Sequence, residues 1–330
     1  MRIGLLAAAR ITPLAIIEPA ARIEGVDVVA VAARTIERAQ AVADEWGVER
    51  AFGSYQELVD SPAVDAIYIA TPAALHHRWT LASLAAGKPV LCEKPIAANA
   101  DEARVMVAAA DDAALVLMEA FHWRYHPLVG QMRSVLDSGR LGTIERVEGA
   151  FELPDDVIPR GDIRWDIMIG GGALMDLGCY PVHWVRWAVG AEPVVVSAEA
   201  DCPVPEIDGR LSAELRWESG ITGRIRCSMI EPQGSPSVLR LDVFGSDGRM
   251  LVTNPIAPQS GTHLVVETSA GTETIDVERS STYDHQLVAF RDAVERGVVP
   301  PTTGAEPIAN MVVIDACYRA AGLRPRPSIG

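Results

Sequence analysis

The most constraining feature of this chain is a strand–helix alternation that fills its opening third and then stops. Short apolar runs at Arg2–Leu6, Val26–Ala32, Ala66–Ala70, Val90–Glu93 and Leu115–Glu119 lack a polar–apolar alternation. Strands buried on both faces of a parallel sheet read that way. Helical segments fall between them at Pro13–Ile23, Ile36–Glu45, His76–Ala86 and Ala100–Ala110. Thr12-Pro13 reads as a helix start and Gly25, Gly47 and Gly87 as stops, while Pro19 is expected to kink or split the first helix. Repeated units of this kind imply right-handed crossovers and a doubly wound α/β sheet.

Beyond residue 125 the rhythm changes. A helix at Leu128–Ser138 and a strand at Thr143–Leu153 lead through an irregular stretch to a helix at Ala173–Val189. Consecutive strands follow at Val194–Ala200, Leu211–Trp217, Thr222–Met229, Val238–Phe244 and His263–Thr268, and helices at Tyr283–Arg296 and Glu306–Ala321 close the chain. Strands joined by short turns favour an open, mostly antiparallel sheet, so this part reads as α+β. The predicted domains are 1–122 and 123–330, with the helix at 306–321 expected to pack back on the first domain.

Composition narrows the classes. At 330 residues the chain suits two cores, and 49% hydrophobic with 22% charged residues is ordinary for globular domains. A formal charge of −15 disfavours nucleic acid or an anionic membrane surface as partner. No apolar run reaches the roughly 18 to 20 residues of a membrane span, and the N-terminus reads as a first strand rather than a signal peptide. Five scattered cysteines without a C-x-x-C pair predict neither a disulfide framework nor a structural zinc site, and fit a reducing cytoplasm. Of 29 Lys plus Arg only two are lysines, Lys88 and Lys94. A lysine kept among arginines suggests a need for an amine that can lose its proton.

The turn after the first strand is where a dinucleotide fingerprint of glycines belongs, and here it reads Ala7-Ala8-Ala9-Arg10-Ile11-Thr12. Two readings stay open: a plain βα turn, or a cradle whose small residues let backbone amides approach a pyrophosphate. The second strand runs into Ala33-Arg34, with Arg38 beyond, and carries no acid to accept a ribose hydroxyl. Arg34 either pairs with a 2′-phosphate, which favours NADP over NAD, or is a solvated arginine at a helix start. Thr71-Pro72, with His76 beyond, and Glu93-Lys94-Pro95 both follow parallel strands at their carboxyl ends, where open sheets bind ligands.

These tripeptides, with Gly170-Gly171-Gly172-Ala173-Leu174-Met175-Asp176-Leu177-Gly178-Cys179-Tyr180, resemble the Gfo/Idh/MocA oxidoreductase family in order and spacing. The resemblance is greatest to the branch of NADP-dependent xylose dehydrogenases and dihydrodiol dehydrogenases. It implies a Rossmann domain joined to an α+β domain whose open sheet forms a homodimer or larger oligomer. It also implies a nicotinamide cofactor, NADP in preference to NAD, and a sugar or diol substrate. Lys94 matches the family's catalytic lysine and Asp176 its substrate-side acid. Tyr180 stands where many members carry histidine, and in the resembled branch such a tyrosine donates or accepts the proton.

The chemistry agrees with that assignment. Hydride transfer at a secondary alcohol needs the hydroxyl proton removed or supplied, and a nearby cation makes a phenol able to do so. Asp176 and Tyr180 are one helical turn apart. Arg124, Trp165, His183 and Tyr283 are candidate substrate contacts, and Gln286 shares the helix of Tyr283. His122 and His126 have metal-ligand spacing but no further ligand cluster, so no metal is expected. A glycoside-cleaving enzyme with tightly held NAD and a non-catalytic NADPH sensor remain alternatives.

Overall fold

The computed structural model describes residues 1–329. In chain order the first elements are β1 (Arg2–Leu6), a π turn (Pro13–Ile17) continuing into α1 (Glu18–Arg22), β2 (Asp27–Ala32), α2 (Ile36–Trp46), β3 (Arg50–Phe52), α3 (Tyr55–Asp60), β4 (Ala66–Ile69), α4 (His76–Ala85), β5 (Val90–Cys92), α5 (Ala100–Ala113) and β6 (Leu117–Glu119). Then come α6 (Pro127–Asp137), β7 (Ile144–Pro154), a π turn (Leu174–Gly178) running into α7 (Cys179–Val189), and β8 (Val194–Asp201). The chain continues with β9 (Arg210–Arg216), β10 (Thr222–Glu231), β11 (Val238–Gly245), β12 (Gly248–Thr253), β13 (His263–Thr268), β14 (Gly271–Ile275), α8 (Thr282–Arg296) and α9 (Ala305–Ala320).

Two compact units result: residues 1–125 with 282–308 and 328–329, and residues 126–281 with 309–327. The expected single cut near 122 is therefore corrected, because α8 belongs with the first unit. Its apolar stripe Tyr283, Leu287 and Phe290 is buried in one core with Ile16 and Ala20, and Arg22 pairs with Asp284 at 2.7 Å. The spacing i, i+4, i+7 puts those three side chains on one helix face.

The first unit holds a six-stranded parallel sheet in the order β3-β2-β1-β4-β5-β6. The strand direction of travel across the sheet reverses between β1 and β4, which opens a crevice at their carboxyl ends. Strand ends are in register: Leu6 pairs with Ala32 and Ile69, Ile69 with Cys92, and Cys92 with Glu119. The segments after β1, β2, β4, β5 and β6 thus leave along one edge. Pro19 does not break the first helix. Having no N–H, it widens the preceding turn to π geometry, in which the Glu18 amide donates to Pro13 O. Thr12 is not the helix cap: its backbone is already helical and its side chain caps nothing.

The second unit is built on an eight-stranded sheet, β14-β13-β12-β11-β7-β10-β9-β8. All its pairs are antiparallel except β7 with β10, which the long connection through α7 permits. Helix α7 packs on β7, where Gly149 lies under Pro181 with no room to spare for a side chain. Strands β3, β12 and β14 and helix α3 escape the sequence reading, being short or, as in the exposed β14, polar enough to pass for turn.

Candidate active site

The first-unit site starts at the alanine turn. Ala7 takes φ +89°, a glycine-like conformation, and its amide donates to Ala32 O at 3.2 Å. Thr12 N–H donates back to Ala9 O at 3.1 Å, closing the loop. The amides of Ala8, Ala9 and Ile11 donate to no protein group among the described residues, and Arg10 is exposed beside them. Thr12 is fully buried with its hydroxyl unpartnered. Open amides at Ala8, Ala9 and Ile11, just before a helix entry, are donors suited to an anion.

On the next strand Ala33 is buried and its amide donates to Phe52 O at 3.2 Å. Arg34 and Arg38 are exposed, and neither has an acidic partner among the described residues. Both lie near Tyr55, where their charge partly offsets the effect of burial, which raises the phenol's pKa. Tyr55 in turn meets Trp79 edge-on at 5.1 Å. Two free guanidinium groups beside an aromatic pair, with no carboxylate at the strand end, suit a phosphate rather than a ribose diol.

The Thr71-Pro72 and Glu93-Lys94-Pro95 segments are tied together by His76. Its Nε2 lies 2.7 Å from Thr71 O and its Nδ1 3.0 Å from Pro95 O. The ring is buried, which lowers its pKa against the opposing effect of those carbonyls. With both nitrogens engaged by backbone, His76 braces the two loops against each other. Thr71 keeps a buried hydroxyl with no protein partner. Glu93 accepts the Tyr68 hydroxyl at 2.7 Å and the Lys94 amide at 3.3 Å, so the carboxylate beside the lysine is fixed from below.

Near Lys94 the first unit places buried aromatic rings. His122 is buried, its Nδ1 lies 2.7 Å from Thr282 Oγ1, and its ring stacks on Tyr283 at 4.1 Å. Burial, and then the charge of Lys94, depress the His122 pKa to about 3, so this imidazole is neutral near pH 7. Tyr283, a candidate substrate contact, is nearly buried and its phenol pKa is raised by burial and by Glu93. Arg124 is half-buried with its guanidinium 5.6 Å from the Trp123 ring. Gln286 is fully buried with both amide atoms unpartnered.

In the second unit Asp176 sits on the π turn that enters α7, and Arg164 Nε donates to it at 2.5 Å. Arg164 also reaches Asp162 at 3.0 Å, and the two carboxylates, Asp176 foremost, raise the guanidinium pKa. Tyr180 lies on the first turn of α7, nearly buried between Phe151 at 5.9 Å and Trp184 at 6.0 Å. His183 is fully buried on the same helix. Trp165 is packed into its own loop: its indole donates to Ile158 O at 3.3 Å, and Arg160 covers its ring at 4.1 Å. No group of three or more His, Cys, Asp or Glu side chains is arranged for a metal among the described residues. His126 instead accepts the Leu128 amide at 3.1 Å and lies 3.2 Å from Ser280 Oγ.

Comparisons with known proteins identify the family. Residues 2–121 match the model of the Gfo/Idh/MocA oxidoreductase family with its NAD-binding Rossmann fold, and residues 129–251 match a Gfo/Idh/MocA C-terminal domain. This chain belongs to the Gfo/Idh/MocA family. It is 35% identical over 326 residues to a D-xylose 1-dehydrogenase (NADP(+)) of Haloferax volcanii, with 97% of both chains covered. It is 39% identical over 203 residues to the trans-1,2-dihydrobenzene-1,2-diol dehydrogenase of Mus musculus, covering 61% of this chain and 60% of the other. A solved 3-ketoreductase from Actinomadura kijaniata, in complex with NADP and TDP-benzene, superimposes with a TM-score of 0.89 at 27% identity, covering 97% of each chain. As a Gfo/Idh/MocA member the protein is an NAD(P)-dependent oxidoreductase.

The family's cofactor fits the residues present in the first unit: open amides at Ala8, Ala9 and Ile11, the unpartnered Thr71 hydroxyl, and the free Arg34 and Arg38. Sequence reasoning missed the supports beneath them. Tyr68 sat in a strand that reads only as apolar, and the second unit's Asp208 and Arg326 lie far from α7 in sequence with no motif to mark them.

Proposed function

We propose that this Gfo/Idh/MocA member interconverts a secondary hydroxyl and a carbonyl on a sugar, polyol or cyclic diol, with NADP preferred over NAD. The observation that carries the reading is the single edge of the first unit's sheet. There the open amides of the alanine turn, the unpaired Arg34 and Arg38, and Lys94 all leave neighbouring strand ends. The dinucleotide, when bound, supplies or accepts the hydride. Ala7, Ala8, Ala9, Arg10 and Ile11 hold its pyrophosphate, Ala33, Arg34 and Arg38 its adenosine end, and Thr71, Pro72, Glu93 and Lys94 line the remainder.

Tyr180 moves the proton at the reacting oxygen, and Lys94, just beyond the end of β5, is the lysine that the family resemblance makes catalytic. Asp176, neutralised by Arg164, orients a neighbouring substrate hydroxyl rather than acting as base. Names of the relatives support the substrate class: a xylose dehydrogenase, dihydrodiol dehydrogenases and a 1,5-anhydro-D-fructose reductase.

The deciding experiment titrates NADPH and NADH into the purified protein, then screens aldoses, polyols and cyclic diols by nicotinamide absorbance. NADPH binding at least tenfold tighter than NADH, with turnover on a neutral polyhydroxylated compound, is the expected result. Release of sugar from a glycoside with no net cofactor change would replace this reading by the glycoside-cleaving one. Tight binding with no turnover would replace it by a sensor.

We also read the protein as a cytoplasmic homodimer or larger homo-oligomer formed through the second unit's sheet. Its outer face carries cross-strand ion pairs, including Arg224 with Glu214 at 3.2 Å and Arg226 with Glu152 at 3.4 Å. All five cysteines are free, as in a reducing compartment. No helix among the described residues is long and apolar enough to cross a membrane. A monomer in sedimentation would remove the assembly, and export of the tagged protein the compartment.

A further inference from the structure

Beneath the helix that carries Asp176 and Tyr180 the second unit buries an ion pair that bears on the placement of that helix. Arg326, Asp208 and Tyr318 are all fully buried. Arg326 pairs with Asp208, donates from Nε to Gly171 O at 2.5 Å and from a terminal nitrogen to Glu206 O at 3.2 Å. The Tyr318 hydroxyl donates to Asp208 at 3.1 Å, and its ring lies 4.0 Å from the guanidinium carbon. The remaining oxygen of Asp208 accepts the Leu174 amide at 2.7 Å, and the Asp208 backbone carbonyl accepts the Ala173 amide at 2.7 Å.

Those two amides open the helix. An entering helix has orphan N–H groups that need acceptors, and Ala173 itself has no side chain to help. Asp208, from the segment before β9, does the capping from outside, and Arg326 holds Asp208. The glycine run fits this anchor closely. A Cβ on Gly172 would collide with Asp208 and Arg326 and stand 2.9 Å from the Tyr318 hydroxyl, and one on Gly171 would stand 2.6 Å from Arg164 O. Gly171 and Gly172 also donate to Asp166 O and Arg164 O, both at 2.9 Å, and Arg164 then grips Asp176. A continuous set of contacts therefore runs from Arg326 through the glycines to Asp176.

A buried ion pair is a poor source of net stability, because desolvation offsets most of the attraction. Its value is geometric when its polar atoms all have partners, and no side-chain nitrogen or oxygen of Arg326, Asp208 or Tyr318 is left without one. We infer that Arg326 and Asp208 are positioning residues for the reaction. They fix the register of residues 173–180, and with it the reach of Tyr180 and Asp176. This rests on the roles proposed above for those two residues.

The test uses the full chain carrying Arg326→Met and, as a milder change that keeps the ion pair, Tyr318→Phe. Hydrogen exchange of amides 171–180 is followed beside β9 and β10, together with kcat on the active polyol and the NADPH dissociation constant. For Arg326→Met, exchange at 171–180 is expected to speed up at least tenfold while the strands hold. kcat falls about tenfold to a hundredfold with NADPH affinity within twofold, as expected for a small misplacement of an acid–base group. For Tyr318→Phe the same local pattern is expected, smaller. If Arg326→Met does not fold, Tyr318→Phe decides alone. A uniform rise in exchange, or an unchanged kcat in folded variant, overturns the positioning role. If the unaltered enzyme turns over no polyol, the proposed function fails, and the exchange pattern still decides whether the anchor sets this helix.

Discussion

Ala7–Ile11 in the first unit and Gly170–Gly172 in the second each lead the chain into a helix that serves the site, yet they use opposite residues. The first turn has φ +89° at Ala7 and no glycine, and its amides are left open. The second has three glycines, and two of them are hemmed in by Arg164 O, Asp166 O and the Asp208–Arg326–Tyr318 cluster. Glycine is thus retained where protein packs against protein and dispensed with where the proposed ligand lies. A turn can take a left-handed alanine at modest cost, whereas an occupied space admits no Cβ at all. The glycine signature of a binding loop is a convenience of backbone, and its absence says less about ligand than its presence elsewhere says about packing.

The sharpest way to separate the two regions is through the proton-handling residue that each contributes. Lys94→Met and Tyr180→Phe are each expected to lower kcat by about 10²- to 10⁴-fold, the usual range for a lost acid–base partner. NADPH affinity should be nearly untouched in Tyr180→Phe, since the cofactor residues named above all lie in the first unit. Steady-state kinetics with a fluorescence titration reads both. Turnover near the unaltered rate in either variant would break the assignment.

Much of this was legible in the sequence, and for identifiable reasons. Buried parallel strands announce themselves as short apolar runs, so β1, β2, β4, β5 and β6 were readable and placed Thr71 and Lys94 at their ends. What stayed hidden depends on partners remote along the chain. His76 reads as a polar residue opening a helix near a ligand, and only the fold supplies the Pro95 carbonyl that occupies its second nitrogen. Tyr68 looks like core until Glu93 comes within 2.7 Å of its hydroxyl. Helix α8 follows the second unit's strands in sequence, and its stripe of Tyr283, Leu287 and Phe290 does not say which core will take it.

Gly172→Ala probes the packing half of the comparison. The new methyl group meets the fully buried polar atoms of Asp208, Arg326 and Tyr318, at a φ of +129° that alanine resists. A loss of about 2–4 kcal/mol is expected, in the range of overpacking combined with backbone strain. Denaturant midpoints measure it, and a loss below about 1 kcal/mol, the level of an ordinary surface change, would mean that the cluster can move aside. Arg34→Glu probes the ligand half. Replacing an unpaired cation by an acid at the end of β2 should reverse the NADPH preference by at least tenfold, about 1.4 kcal/mol, while folding stability stays level. An unchanged NADPH to NADH ratio would remove Arg34 from the site.

The smallest expected effect is the most informative about the alanine turn itself. Ala7→Gly removes a Cβ from a residue on the left-handed side, a conformation that costs an L-residue roughly 1–2 kcal/mol. Against that relief stands the greater freedom of glycine in the unfolded chain, worth roughly 0.5–1 kcal/mol. The balance predicts a gain of at most about 1.5 kcal/mol, a rise in Tm of a few degrees at most for a unit of this size. NADPH affinity should change by less than threefold, because the donors are the amides of Ala8, Ala9 and Ile11, which the substitution leaves in place. A fall in Tm would show that Ala7 is not strained and that its methyl group is packed to advantage. A tenfold gain in NADPH affinity would show instead that the Cβ obstructs the phosphates, and that this turn holds its ligand in spite of its alanines.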